Sequence, residues 1–203
     1  MRVAGESTVV KRVGLFGGTF DPPHIGHLVV ADQVRDQLDL DEVRLVVTNH
    51  PWQKVGSRAI TPAPIRYRLT EAAVADAPGI VASPIELEIG GPSYTIVTLE
   101  ELARREPGVQ HLVIVGSDAA AGLDSWHRAD ELRERCTVVV VNRPGDDVGA
   151  PPGWVVEKVR IPAIDLSSTE LRTMVAEGRS VRHLTPAAVV QLLADEELYR
   201  RGS

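Results

Sequence analysis

Gly14-Leu15-Phe16-Gly17-Gly18-Thr19-Phe20-Asp21-Pro22-Pro23-His24-Ile25-Gly26-His27 is the stretch on which the fold turns. Val9–Phe16 is apolar and β-branched and breaks at Gly17-Gly18, which predicts a strand running into a tight turn. From Gly26 to Leu38, the residues Leu28, Val29, Ala31, Val34 and Leu38 recur at helical spacing. The quoted residues therefore join a strand to a helix. Gly17 and Gly18 let backbone approach a ligand closely, and Thr19 adds a hydroxyl. His24 and His27 share a helix face at a spacing of three, with Gly26 leaving room above the helix start. A helix N-terminus favours an anion, so the turn reads as a phosphate site. A metal pair or a plain helix cap are the other readings of two His at this spacing. The stretch is neither a G-x-G-x-x-G fingerprint nor a Walker loop.

Outward from this turn, strands and helices alternate. Strands are expected at Val43–Thr48, Ile80–Glu88 (with alternation in I-E-L-E-I), His111–Val115, Thr137–Asn142 and Trp154–Ile161. Helices are expected at Pro64–Ala75, Ser93–Arg105, part of Leu123–Arg135, Ser167–Glu177 and Thr185–Leu198, the last with Thr185 as N-cap and Pro186 at the first helical position. Asn49–Pro64 is a polar Pro/Gly loop long enough to carry function. The pattern predicts an α/β, Rossmann-like, doubly wound parallel sheet with helices on both faces and a small C-terminal helical part. Its ligands belong beyond the carboxyl ends of the strands, in the loops after Phe16, Thr48, Val115 and Ile161.

A second constellation, Ile164-Asp165-Leu166-Ser167-Ser168-Thr169-Glu170-Leu171-Arg172, opens a later helix. Ser167 and Glu170 fit a capping box, and that reading needs no ligand. The same hydroxyls, free N–H groups and guanidinium also suit an anion. Trp126, between Ser125 and His127, is not placed like a core residue, and its flat face suits an aromatic ligand. Trp154 reads as packing. Arg66 and Arg68 read as decoration of a helix, one of them able to face the cleft.

The chain has 203 residues, 43% hydrophobic and 25% charged, which suits one globular unit over residues 9–203 after a disordered lead-in at 1–8. A net charge of −6 speaks against nucleic-acid binding but not against small anions in a local cleft. The single Cys136, in a strand-like run, reads as core. No apolar run is long enough for a membrane span, and the expectation is a cytoplasmic protein, with a homo-oligomer compatible with the sequence.

His24-Ile25-Gly26-His27 spells H-x-G-H, and G-G-T-F-D-P-P-H-I-G-H resembles the opening of bacterial nicotinate mononucleotide adenylyltransferases. Ser167-Ser168-Thr169 with Arg172 matches their second motif, S-S-T-x-x-R. Lys54 follows Thr48-Asn49-His50-Pro51-Trp52-Gln53, where the family more often has P-P-H-K. Pro92-Ser93-Tyr94-Thr95 matches P-S-Y-T, and Gly116-Ser117-Asp118 through Trp126 matches G-x-D…W. The resemblance implies AMP transfer from ATP to nicotinate mononucleotide, releasing pyrophosphate. It implies an ATP site of Gly17, Gly18, Thr19, Phe20, His24, Gly26, His27, Ser167, Ser168, Thr169 and Arg172. His24, His27, Lys54 and Arg172 are the implied catalytic set. The implied acceptor site is Thr95, Gly116, Ser117, Asp118, Trp126 and His127, with Asp118 on a ribose and Trp126 on the pyridine ring. Mg²⁺ is expected through the substrate phosphates, with no protein side chain as ligand. Phosphopantetheine as acceptor and a catalytically decayed nucleotide sensor are the rival readings.

Overall fold

In the computed structural model, which describes residues 10–50, 60–142 and 149–200, the apolar runs form six parallel strands. They are β1 (Arg12–Gly18), β2 (Glu42–Val47), β3 (Ile80–Ser83), β4 (Gln110–Gly116), β5 (Thr137–Asn142) and β6 (Val156–Arg160). Their order across the sheet is β3-β2-β1-β4-β5-β6. Phe16 stands opposite Leu45 on one side and Ile114 on the other. The central strands are apolar through their middles, as in Leu112–Val115 and Val138–Val141, because both faces are covered. Val13, Leu15, Val113, Val115, Val138 and Val140 face one layer with α4 (Thr95–Arg105) and α6 (Ala129–Arg135). Leu112, Ile114, Val139 and Val141 face the other with α1 (Ile25–Gln37). Gly14 is where α1's layer closes on β1: a Cβ there would lie 2.8 Å from Ile114 Cδ1 and 3.0 Å from Leu40 Cδ1.

The strand order reverses between β1 and β4, so the loops after Gly18 and Gly116 open one crevice at the carboxyl edge. The remaining helices are α2 (Ala63–Val74), α3 (Ile85–Ile89), α5 (Ser117–Ala121), α7 (Ser168–Ala176) and α8 (Ala187–Asp195). A separate apolar cluster joins Leu69 and Ala73 of α2 to Leu171 of α7 and to Val189 and Leu193 of α8. The C-terminal helices thus close onto α2 rather than onto the sheet. No helix among the described residues is long and apolar enough to cross a membrane.

Two expectations are corrected. The I-E-L-E-I run is not strand: β3 ends at Ser83 and Ile85–Ile89 is a short helix. Pro84 starts it, Glu86 and Glu88 sit in its first turn, and Gly90 at φ 75° ends it, so capping outweighs two-residue alternation. Thr185 is not the N-cap of α8 either. Pro186 holds that position, and the Thr185 hydroxyl donates to the Pro23 carbonyl at 2.8 Å. The short helix α5, directly after β4, is an element the sequence pattern does not show.

Candidate active site

The carboxyl edge carries two cavities. The larger, about 660 Å³, is lined by Gly18, Thr19, Phe20, His24, Gly26 and His27 from one side and by Ser167, Ser168, Thr169 and Arg172 from the other. The smaller, about 300 Å³, takes in Gly17, Thr48, Glu86, Tyr94, Thr95, Gly116, Trp126 and His127. Gly18 and Thr19 line both, so the β1–α1 turn is a shared wall.

The turn's shape follows from its residues. Phe20 sits at φ 48°, a left-handed conformation that a bulky residue adopts only under constraint. Its ring is buried, edge-on to Phe16 at 6.0 Å and to His27 at 5.0 Å. A Cβ on Gly18 would meet that ring at 2.7 Å, so any side chain there would have to displace it. His24 caps α1 with extended backbone. Its N–H donates to His27 Nδ1 at 3.1 Å, while the His27 N–H donates to the His24 carbonyl at 2.9 Å. Because Nδ1 of His27 accepts, neutral His27 carries its proton on Nε2 and is a donor there. The two imidazoles lie 3.8 Å apart. Gly26 serves this pair: a Cβ would come within 3.0 Å of the His24 ring.

The C-terminal region grips the turn from outside. Three successive carbonyls each accept one donor: Asp21 from Arg172 Nη1 (2.7 Å), Pro22 from the Ser168 hydroxyl (2.8 Å) and Pro23 from the Thr185 hydroxyl (2.8 Å). The buried Asp21 carboxylate accepts from the Tyr199 hydroxyl at 2.6 Å. Burial and that carboxylate push the Tyr199 phenol well above its ordinary range. At α7 the capping box is present: the Glu170 N–H donates to Ser167 Oγ (3.2 Å) and the Ser167 N–H to Glu170 Oε2 (2.7 Å). Ser167 belongs to both the cap and the cavity wall, and Arg172 Nη2 also donates to Thr169 Oγ1 at 3.0 Å.

In the smaller cavity Tyr94 and His127 stack at 4.2 Å, beside Trp126, giving it flat aromatic walls. Glu86 is a buried carboxyl in its lining; the Thr98 hydroxyl donates to it at 3.0 Å. Burial raises its pKa above the usual carboxylate range, against the opposing pull of Ser93, Thr98, the Asn49 N–H and Arg66. Ser117 is buried and Asp118 exposed, and neither lines either of these two cavities. Lys54 lies outside the described residues.

Arg66 is corrected from helix decoration to a buried frame. It is 1% exposed and donates to the carbonyls of Thr61 (2.7 Å), Thr19 (2.8 Å), Thr48 (2.7 Å) and Asn49 (3.2 Å). A signal was present: Arg66 shares a helix face with Leu69, Thr70 and Ala73, all buried, whereas Arg68 does not and pairs with Glu196. Glu86 had no comparable signal, since its segment reads as strand. Trp154 and Cys136 pack in the core as expected, and burial pushes the Cys136 thiol up to about 11.

Residues 15–174 match the cytidylyltransferase-like family, a span that includes both histidines and Arg172. The chain belongs to this family. It is 41% identical over 197 residues to a Corynebacterium kroppenstedtii protein named "probable nicotinate-nucleotide adenylyltransferase", covering 95% of this chain and 93% of that one. A Thermus thermophilus protein of the same name is 42% identical over 189 residues, covering 93% of this chain and all of the relative. The fold also matches the Plasmodium falciparum nicotinic acid mononucleotide adenylyltransferase complexed with NaAD. The TM-score is 0.76 at 16% identity, covering 93% of this chain and 97% of that one.

Proposed function

We propose that the chain, acting as one unit over residues 9–203, transfers AMP from ATP to nicotinate mononucleotide and releases pyrophosphate, the step that forms the dinucleotide in NAD biosynthesis. The observation that carries this reading is the pair of cavities with Gly18-Thr19 as common wall. One is lined by two imidazoles, hydroxyls and a guanidinium, which suit a triphosphate. The other offers stacked aromatic faces, which suit a planar ring rather than the flexible arm of phosphopantetheine.

The acceptor phosphate oxygen attacks the α-phosphorus in line, and the bond to the bridging oxygen of pyrophosphate breaks. Such transfer needs placement and charge stabilisation rather than a covalent intermediate. His27 donates from Nε2 to the developing charge, with the adjacent His24 beside it. Ser168 and Arg172 orient the leaving pyrophosphate, and Lys54 adds balancing charge. Trp126 and His127 flank the ring, Thr95 and Gly116 border it, and Asp118, exposed two residues past Gly116, takes the ribose contact. Imidazoles, hydroxyls and a guanidinium suit phosphate oxygens better than a bare cation, so Mg²⁺ would be held through the substrate phosphates rather than by these side chains and would supply charge neutralisation there. A cytoplasmic setting fits substrates of this kind.

Pyrophosphate release from ATP and Mg²⁺ tests the reading, with nicotinate mononucleotide, its amide and phosphopantetheine offered separately. Release with the pyridine nucleotides supports it. Release with phosphopantetheine alone transfers the same chemistry to a different acceptor. No release from folded, ATP-binding protein overturns catalysis.

A further inference from the structure

We infer that Arg66 is a positioning residue that sets the distance between the two bound substrates by holding the wall common to both cavities. It rises from the first turn of α2 and lines neither cavity. Its guanidinium reaches the backbone on which both depend. Nη1 donates to Thr19, which lines both cavities, and Nη2 donates to Thr48, which lines the smaller. Nη2 also donates to Asn49, whose N–H donates to the Ser93 hydroxyl at 2.8 Å on the smaller cavity's rim. Nε donates to Thr61, just before α2. One planar fork thus joins the turn after β1, the turn after β2 and the start of α2. Lysine cannot reproduce it, because an ammonium is a point donor without the fork.

The inference rests on the AMP-transfer reading. In that reaction the attacking oxygen and the α-phosphorus must be brought within about 3–3.5 Å, and a misplacement of about 1 Å costs about a hundredfold in rate. ATP sits against the β1 turn and the acceptor against the β2 turn, so Arg66 governs their separation more than the hold on either. Kinetics therefore distinguish it from a residue that merely stabilises the fold.

The test compares wild type with Arg66→Ala and Arg66→Lys. Turnover is read as pyrophosphate release, and the affinity and stoichiometry for ATP alone and for nicotinate mononucleotide alone are read by calorimetry. The expected result is a fall in kcat of about a hundredfold in the Ala variant, with each binary affinity within about threefold of wild type. Guanidinium chloride, at concentrations that leave wild type unaffected, should restore part of that turnover, and sodium chloride at equal ionic strength should not. A wild-type kcat, or affinities that fall in step with kcat, overturns the inference. If the Ala variant does not fold, the Lys variant decides on the same two readings. Failure of the AMP-transfer reading shows instead in wild type, as no pyrophosphate with any acceptor.

Discussion

His27 and Glu86 show two ways in which a single side chain answers to its surroundings. His27 is held by the His24 N–H through Nδ1, which leaves Nε2 as its donor. Replacing a donor specific to the transition state typically costs about a hundredfold or more in rate. His27→Ala should therefore lower kcat by at least that factor while the cooperative melt persists; an active variant sinks the assignment. Glu86 answers to pH. Its folded pKa lies above the unfolded value because of burial, so between the two the folded chain holds more protons than the unfolded one. Stability contributed by this group is then full below the unfolded pKa and is lost as pH rises through the folded pKa. Glu86→Gln cannot ionise, so its melting temperature should gain on wild type as pH rises from the ordinary carboxylate range through the raised one. A constant gap across that range would contradict the shift. The histidines, Ser168 and Arg172 were legible because their motifs lie within one turn of a helix start. Arg66 was misread because a charged side chain is ordinarily exposed, and its burial depends on carbonyls 5 to 47 residues away.

At the scale of elements, most strands could be read because unbroken β-branched runs such as Val138–Val141 have few other uses. Ile85–Ile89 could not, because five residues satisfy either period and the decision fell to its end groups. Thr185 had the chemistry of a cap, yet its hydroxyl is taken by a carbonyl 162 residues earlier. The last turn of the chain is informative in the same way. Tyr199 bridges Asp21 and Thr61, tying the segment after α8 to the phosphate turn and to the approach to α2. Tyr199→Phe keeps the ring but takes one hydrogen bond from a buried carboxylate, at a cost of about 1–3 kcal/mol. A melting temperature lower by several degrees is the expected reading by calorimetry. An unchanged melt would mean that the segment does not brace the turn.

For the molecule as a whole, alternation of strands and helices predicted a parallel sheet, but not which strands pair. The order β3-β2-β1-β4-β5-β6 is set by contacts between layers, and it places the crevice between β1 and β4. Two ligands that enter separate cavities of one cooperative fold should each stabilise it. At about a hundred times its Kd, each ligand adds about 2.7 kcal/mol, so ATP and nicotinate mononucleotide should raise the melting temperature separately and further together. A shift with ATP but none with the acceptor would remove the smaller cavity from the reading. The grip on the Asp21-Pro22-Pro23 carbonyls also has a temporal side. Its donors, Ser168, Arg172 and Thr185, lie 146, 151 and 162 residues downstream of the carbonyls they bind. A chain emerging from the ribosome displays His24 and His27 early, but the backbone beside them is fastened only once α7 and Thr185 have followed. Translation through Thr185 is therefore the earliest point at which all three fastenings of that turn can exist.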